Sequence, residues 1–373
     1  MREGRRMPDK DFAALLVLLR AGLWEREPDR WEGFPLSAGA WERVYTLSRR
    51  QTVAGIVFRG LQFLPDELLP PSALLMRWVV TADRIEERNR LMNRVLGNLY
   101  TLYVSRELNP ILQKGQGVAQ FYACPLLRES GDIDFYFTNP VSFRLARLCM
   151  QARGIGVEEM PDRSLSYVWQ GVEDHTRLFD LHSPFLRTKA ARLEERWGYC
   201  SRQLSADVPV DITVPAPFLN LLLLNLHILK HALGWGIGLR QLCDMARACH
   251  CLHGEVDARE MEAACCSLGL TRWTPLLHAF LVEHLGLEPG CLPYPAQAPS
   301  AEPLLDIVRR GGNFGLFLEG RSGAGRSWLQ RKWQTSRSFL RNVRFARTYA
   351  PREAFWLFTG LLRNNLRSTK TDN

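Results

Sequence analysis

Long apolar runs are missing from this 373-residue chain. The richest one, Phe218 to Leu229, contains Asn220, Asn225 and His227 and is too short to span a bilayer, so no transmembrane segment is expected. No secretory leader is expected from the N-terminal stretch either. The charged start, Met1 to Arg6, runs into Asp9 and Asp11, and the apolar stretch from Leu15 to Leu19 is short and lacks a small-residue cleavage site. Nine cysteines, an odd and scattered set with Cys265 and Cys266 adjacent, form no secreted disulfide framework. The expectation is a cytoplasmic protein with reduced thiols. No internal repeat and no long low-complexity tract is found, which sets solenoids aside. Nor is there a His-Glu-x-x-His pattern that would mark a zinc hydrolase.

What is present suffices for a folded core, since hydrophobic residues make up 46% of the chain. The net charge of +9 is concentrated at one end. Residues 321–373 carry twelve arginines and lysines against only Glu353 and Asp372, leaving the remainder close to neutral. Such a surface favours a polyanion, whether nucleic acid, a phosphorylated substrate or an anionic lipid surface.

Helical apolar spacing covers 11–23 and 40–62, with Pro28, Gly33 and Pro35 marking the loop between. After the break at Pro70-Pro71, a long proline-free helix is predicted from about Ser72 to Leu108. Val141 to Arg153 reads as a helix and Gly154 to Glu158 as a strand. Leu165 to Trp169 and Thr176 to Leu181 alternate as strands. Helices return at 216–233, 237–252, 258–268 and 272–286, before a proline-rich linker and a last helical third from about 304 to 368. The expected fold class is α+β: a small mixed β-sheet with extensive N- and C-terminal helical additions. The expected organisation is an N-terminal helical region at 1–108, an α/β core at 109–215, a helical domain completing the cleft at 216–288, and a linker with a basic helical region at 289–373.

The chain is organised around Ile111 to Phe137. Gly131-Asp132-Ile133-Asp134-Phe135-Tyr136-Phe137 alternates polar and apolar residues, so as a strand it sets Asp132 and Asp134 on one face and Ile133, Phe135 and Phe137 on the other. Two neighbouring carboxylates repel unless a cation lies between them, and Mg²⁺ takes one or two carboxylates plus substrate phosphates. Upstream, a short strand delivers Lys114-Gly115 into a predicted helix through Val118, Ala119 and Tyr122, where a lysine and free amide groups suit an anion.

Lys114-Gly115, Ala119, Tyr122, Pro125, Arg128 and Gly131-Asp132-Ile133-Asp134 together resemble the uncharacterised nucleotidyltransferase family of the DNA polymerase β-like superfamily. The resemblance extends to Phe179-Asp180-Leu181-His182, His227, Lys230, His231, Gly238-Leu239-Arg240 and Asp244, covering roughly 75–255. The wider superfamily usually has Gly-Ser where this chain, like the narrower family, has Lys114-Gly115. The resemblance implies transfer of a nucleoside monophosphate from an NTP, with ATP the expected donor, to an acceptor hydroxyl with release of pyrophosphate. It implies Asp132, Asp134 and Asp180 as catalytic metal ligands for Mg²⁺ or Mn²⁺. Lys114, Gly115, Arg128, Lys230 and His227 are then the residues that bind the nucleotide. The acceptor stays open among RNA, protein, sugar and small molecule.

Other readings stand beside these. Arg128 either reaches phosphate or pairs with Glu129, and Arg240 with Asp244 has the i, i+4 spacing of an intrahelical ion pair. His227, Lys230 and His231 share one helix face as a cationic cluster. His175 and His182 are at most supporting groups. Gly320 to Ser327 has phosphate-loop spacing with Arg326 in the lysine place, but no parallel α/β pattern surrounds it. In the tail, Trp328, Trp333, Phe339, Phe345 and Trp356 alternate with arginines, as a nucleic-acid module or a packed basic helix would. The rival to an enzyme is a catalytically degenerate binding or regulatory protein on the same fold, with polyanion contact through residues 321–373.

Overall fold

The computed structural model describes residues 9–160, 163–169, 171–205, 207–234, 236–311 and 343–368. The phosphate-loop-like segment at 320–327 and Trp328, Trp333 and Phe339 lie outside the described residues.

Three helices open the chain, α1 (Asp9–Trp24), α2 (Ala38–Arg50) and α3 (Ala54–Leu61). The single helix expected at 40–62 is therefore two. Thr52 takes a left-handed φ of 52°, which no helix continues through. Beside it, the buried Gln51 side chain donates to the Val308 carbonyl and accepts from the Leu239 amide, both at 3.0 Å. Burying a polar side chain is tolerated here because it meets partners from two distant segments. The proline-free stretch forms α4 (Ser72–Val104), 33 residues long. It starts directly after Pro71 and reaches roughly 50 Å at 1.5 Å per residue.

The central sheet is mixed. Its strands β1 (Ile111–Gln113), β2 (Ile133–Tyr136), β3 (Val157–Glu159), β4 (Leu165–Tyr167) and β5 (Val172–His175) lie in the order β1-β2-β5-β4-β3. Only β2 and β5 are parallel, with Asp134 opposite Glu173 and Tyr136 opposite His175. No strand forms at the expected 176–181; the strand lies wholly before it at Val172–His175, and Asp180 follows in irregular chain. A hairpin of β6 (Tyr199–Gln203) and β7 (Asp211–Pro215) forms a separate two-stranded sheet, with β7 running against β1.

The remaining helices are α5 (Gly115–Ala119), α6 (Pro140–Gln151), α7 (Pro184–Trp197), α8 (Pro217–Leu233), α9 (Leu239–Leu252), α10 (Ala258–Ser267), α11 (Trp273–Glu283) and α12 (Glu302–Gly311). A C-terminal helix follows at Pro351–Ser368. Local chemistry starts several of them. Ser37, Asn139, Ser183 and Asp257 each accept a backbone N–H of their own first turn, and Pro140 and Pro184 supply a φ already suited to the helix. Among the described residues no helix is long and apolar enough to cross a membrane.

Period-two alternation divides the sheet's two faces. Ile133, Phe135, Leu165, Tyr167 and Val172 pack with Met92, Leu96, Leu99 and Tyr103 of α4 and with Ala146 and Met150 of α6. The opposite face meets α8 and α9, which belong to a second, larger apolar cluster with α1, α3 and α11. The carboxylates of β2 emerge where this polar face meets those helices.

Candidate active site

The turn from β1 into α5 delivers the first cation. Lys114 has a φ of 46° and Gly115 a φ of 44°, so the chain reverses sharply through two left-handed residues. A Cβ on Gly115 would stand 3.2 Å from the Asp132 carbonyl oxygen, which is why glycine follows the lysine. The helix expected through Tyr122 ends at Ala119. Five residues make little macrodipole, so the positive charge offered here comes from the lysine rather than from a helix terminus.

Asp132 and Asp134 share the cleft face, as the alternation requires. Lys114 Nζ lies 3.7 Å from Asp134 Oδ2, and His175 Nε2 lies 2.8 Å from Asp134 Oδ1. Burial disfavours the charged Asp134 carboxylate, but Lys114 and His175 outweigh it and bring the group down to about 2. Asp132 moves up instead, first because of the Asp134 charge and then through burial. Lys114 has its charge held against burial by Asp134, Asp180 and Asp132, and its pKa is raised.

Glu173 joins this group from β5. Its carboxylate lies 3.8 Å from His175 Nε2, and its pKa is raised by burial and by the Asp134 and Asp132 charges. One ligand atom each from Asp134, Glu173 and His175 falls within 4.8 Å of the others. Two carboxylates and an imidazole are a donor set that fits a divalent ion such as Mg²⁺ or Mn²⁺, the carboxylates supplying the hard oxygens. As a ligand His175 has to be neutral, whereas its bond to Asp134 raises its pKa against the effect of burial. Glu173 was not singled out in the sequence, and His175 only as a supporting group. Three polar residues in a row, Glu173-Asp174-His175, gave no strand alternation to read, and their place beside Asp134 depends on the parallel pairing of β2 with β5.

Asp180 does not enter that cluster. Lys230 Nζ of α8 approaches its Oδ2 at 2.7 Å, and the charges of Lys230 and Lys114 overcome burial and hold the carboxyl well below its ordinary range. It remains electrostatically in touch with the site, since its charge acts on Lys114, Asp134 and His175. Phe179 and Leu181 on either side of it are buried in the larger core, as their alternation suggested.

The face of α8 is less cationic than its spacing implied. Burial drives His227 well below its ordinary value, and burial with the Lys230 charge takes His231 down to about 3. Both imidazoles are neutral at pH 7, packed edge to face with centroids 4.5 Å apart, so Lys230 alone carries charge. His227 lines the small cavity of about 50 Å³ that holds Lys114, Asp132 and Asp134, whereas Lys230 lines a neighbouring one.

Arg128 and Asp244 correct two further expectations. Arg128 donates from Nε and Nη2 to the two Asp244 oxygens at 2.9 and 2.6 Å, and from Nη1 to Ser130 Oγ at 3.0 Å. Asp244 therefore pairs across to the loop before β2 rather than only within α9, and Arg128 does not pair with Glu129. Glu129 instead accepts from the Ala54 amide, and its carbonyl accepts from Arg240. Tyr122 donates to Asp244 at 2.8 Å, Ser130 to Gln116 at 2.6 Å and Gln116 to Asn93 at 2.8 Å. This buried chain of bonds ties α4, α5, the loop before β2, and α9 into one frame. Arg128 lines the same cavity as Asp132 with its guanidinium committed to that frame.

A small mixed sheet with a paired-carboxylate strand, a lysine at the preceding turn and helices closing the cleft brings a divalent-ion donor set next to a buried cation. The chain belongs to the uncharacterised nucleotidyltransferase family, whose model matches residues 37–286. The match extends beyond the motif-bearing stretch on both sides and supports nucleotidyl transfer as the general reaction class. No curated protein and no solved structure matches the chain.

Proposed function

We propose that this protein transfers a nucleoside monophosphate from an NTP to an acceptor hydroxyl in a reaction that depends on a divalent cation. The observation that carries this reading is the grouping of Asp134, Glu173 and His175 on the cleft face, with Lys114 at 3.7 Å from Asp134. Asp132, Asp134 and Glu173 would hold Mg²⁺ or Mn²⁺, with His175 beside them. The ion would neutralise charge on the phosphate oxygens. Lys114, beside Asp134, would meet the triphosphate and add charge in a site largely withdrawn from water. Gly115 lets the backbone pass close to Asp132, and His227 and Arg240 close the same cavity. In the reaction the acceptor oxygen bonds to the α-phosphorus, the bond from that phosphorus to the bridging oxygen breaks, and pyrophosphate leaves with the electron pair. The hydroxyl proton is released to solvent. Asp180, kept ionised by Lys230, borders the side from which the acceptor approaches.

Calorimetric titration of ATP, CTP, GTP and UTP with and without Mg²⁺ tests the reading, ATP being the first donor to try. Cation-dependent binding of an NTP that is lost in Asp132→Ala/Asp134→Ala is the expected result. Absence of NTP binding by well-folded protein overturns the reading and leaves a nucleotidyltransferase scaffold that binds or regulates without transferring.

A further inference from the structure

Beyond the carboxylate cluster the cleft widens into a cavity of about 510 Å³. Its wall shares His175 and Asp180 with the site described above, and it continues to Arg163, Arg177, Arg187 and Lys230. The small cavity holding Asp132, Asp134 and Lys114 meets it at the hydrogen bond between Asp134 and His175. The larger space therefore adjoins the carboxylate cluster, where a second substrate has room.

Its charge is uneven. Lys230 is neutralised by Asp180 at 2.7 Å. Among the described residues Arg163, Arg177 and Arg187 have no carboxylate within 4.0 Å, and Asp180 is the only acidic residue in the wall. Glu353, the next carboxylate out, already accepts from the backbone amides of His182 and Ser183 and from His182 Nδ1. The Arg187 side chain is held in place by its Nε donating to the Leu181 carbonyl at 2.5 Å, with its other N–H groups left over. Burial and the neighbouring Arg177 charge lower its pKa against the Glu353 charge, and Arg177 and Arg187 line the same space. Three guanidiniums around one concavity, none in an ion pair among the described residues, offer an anion free N–H donors there. Their planar donor forks match a tetrahedral oxyanion better than a single charged point does.

We infer that the acceptor of the transfer carries a phosphomonoester, which Arg163, Arg177 and Arg187 seat in this cavity while the acceptor hydroxyl reaches Asp180 and the carboxylate cluster. The inference rests on the nucleotidyl-transfer reading and names the substrate class for the same site. It places the electrostatic work of acceptor recognition on three arginines apart from the nucleotide residues. A neutral acceptor of the same shape leaves these charges unpaired.

The test is calorimetry of phenyl phosphate against the full chain, with Mg²⁺ and a non-hydrolysable α,β-methylene NTP at saturation and benzoate as the carboxylate comparison. Phenyl phosphate is expected to bind alongside the NTP analogue. In Arg163→Gln/Arg177→Gln its affinity is expected to fall by about tenfold or more. Both of those side chains are exposed, so the fold is spared, and an unshifted melting temperature confirms it. Arg187→Lys, which keeps the charge and loses the fork, is expected to weaken the phosphate several-fold. Cation-dependent NTP binding should stay within twofold of wild type in these variants. Displacement of phenyl phosphate by the NTP analogue, or loss of NTP binding in the arginine variants, assigns the cavity to the nucleotide and overturns the inference. No phenyl phosphate binding, or equal binding of benzoate, overturns it too. These outcomes are separate from failure of NTP binding in the wild type, which strikes at the transfer reading itself.

Discussion

Asp134 and Asp174 occupy adjacent parallel strands of one sheet, on opposite faces, and they are shifted in opposite directions. Asp134 looks into the cleft, where Lys114 and His175 outweigh burial and take it down to about 2. Asp174 looks into the apolar layer between the sheet, α4 and α6. There burial dominates and pushes the group up to about 7, although the Tyr167 hydroxyl donates to it and pulls the other way. Neither backbone nor residue type differs. What differs is whether a cation accompanies the carboxylate out of water, and that decides whether it is a ligand or a proton carrier at neutral pH.

Asp244 extends the comparison, because it is as buried as Asp134 and paired at 2.6 Å with the Arg128 guanidinium. Arg128→Ala moves it toward the situation of Asp174, a buried carboxylate supported by the Tyr122 hydroxyl and the Arg240 charge but without its ion pair. The expected loss is about 3–5 kcal/mol of stability, read by denaturant unfolding at pH 7. Retention of full stability would mean that the frame around α9 does not depend on this pair.

Asp174→Asn removes the contrast from the other side. The unfolded chain loses this proton near the ordinary carboxylate value and the folded chain only at about 7, so wild-type stability falls as pH rises across that window and stays level above it. The variant should therefore gain on wild type by up to about 4 kcal/mol at pH 8 and show no such gain at pH 3.5, as melting curves at the two pH values would reveal. Asp134 acts with the opposite sign. Its contribution is present above the ordinary carboxylate range and is lost as pH falls toward about 2.

Lys114→Met takes the cation from Asp134 and should weaken NTP binding on the order of tenfold to a hundredfold, with the fold intact by circular dichroism. A variant that binds NTP like wild type would remove the lysine from the phosphate site. The smallest effect is expected from Gly115→Ala, which leaves every charge in place. Its cost is about 1–2 kcal/mol for an alanine at a φ of 44°, with the added Cβ pressing on the Asp132 carbonyl. Thermal unfolding reads the stability part, and a parallel NTP titration shows whether Asp132 has moved.

The sequence by itself determined those features whose period is local. Alternation through residues 131–137 set Asp132 and Asp134 on one face, the proline-free stretch after Pro71 made α4, and the lysine–glycine pair marked the turn into α5. Residues next to one another in a strand or helix face the same or opposite ways by backbone geometry alone, so no distant partner is needed to read them. The family-bearing residues were legible for the same reason, as an ordered set of local signatures.

The tertiary structure decided the partners. Glu173 and His175 reach Asp134 only because β5 pairs in parallel with β2 across some forty residues of chain, and a strand that ends at His175 leaves Asp180 outside the cluster. Arg128 finds Asp244 from 116 positions away, against the nearer expectations of Glu129 for the one and Arg240 for the other. Burial, which neutralises His227 and His231 and shifts Asp174, is likewise set by what the rest of the chain packs around a residue. Pairing register and desolvation arise from contacts between segments far apart in the chain, and no local spacing encodes them.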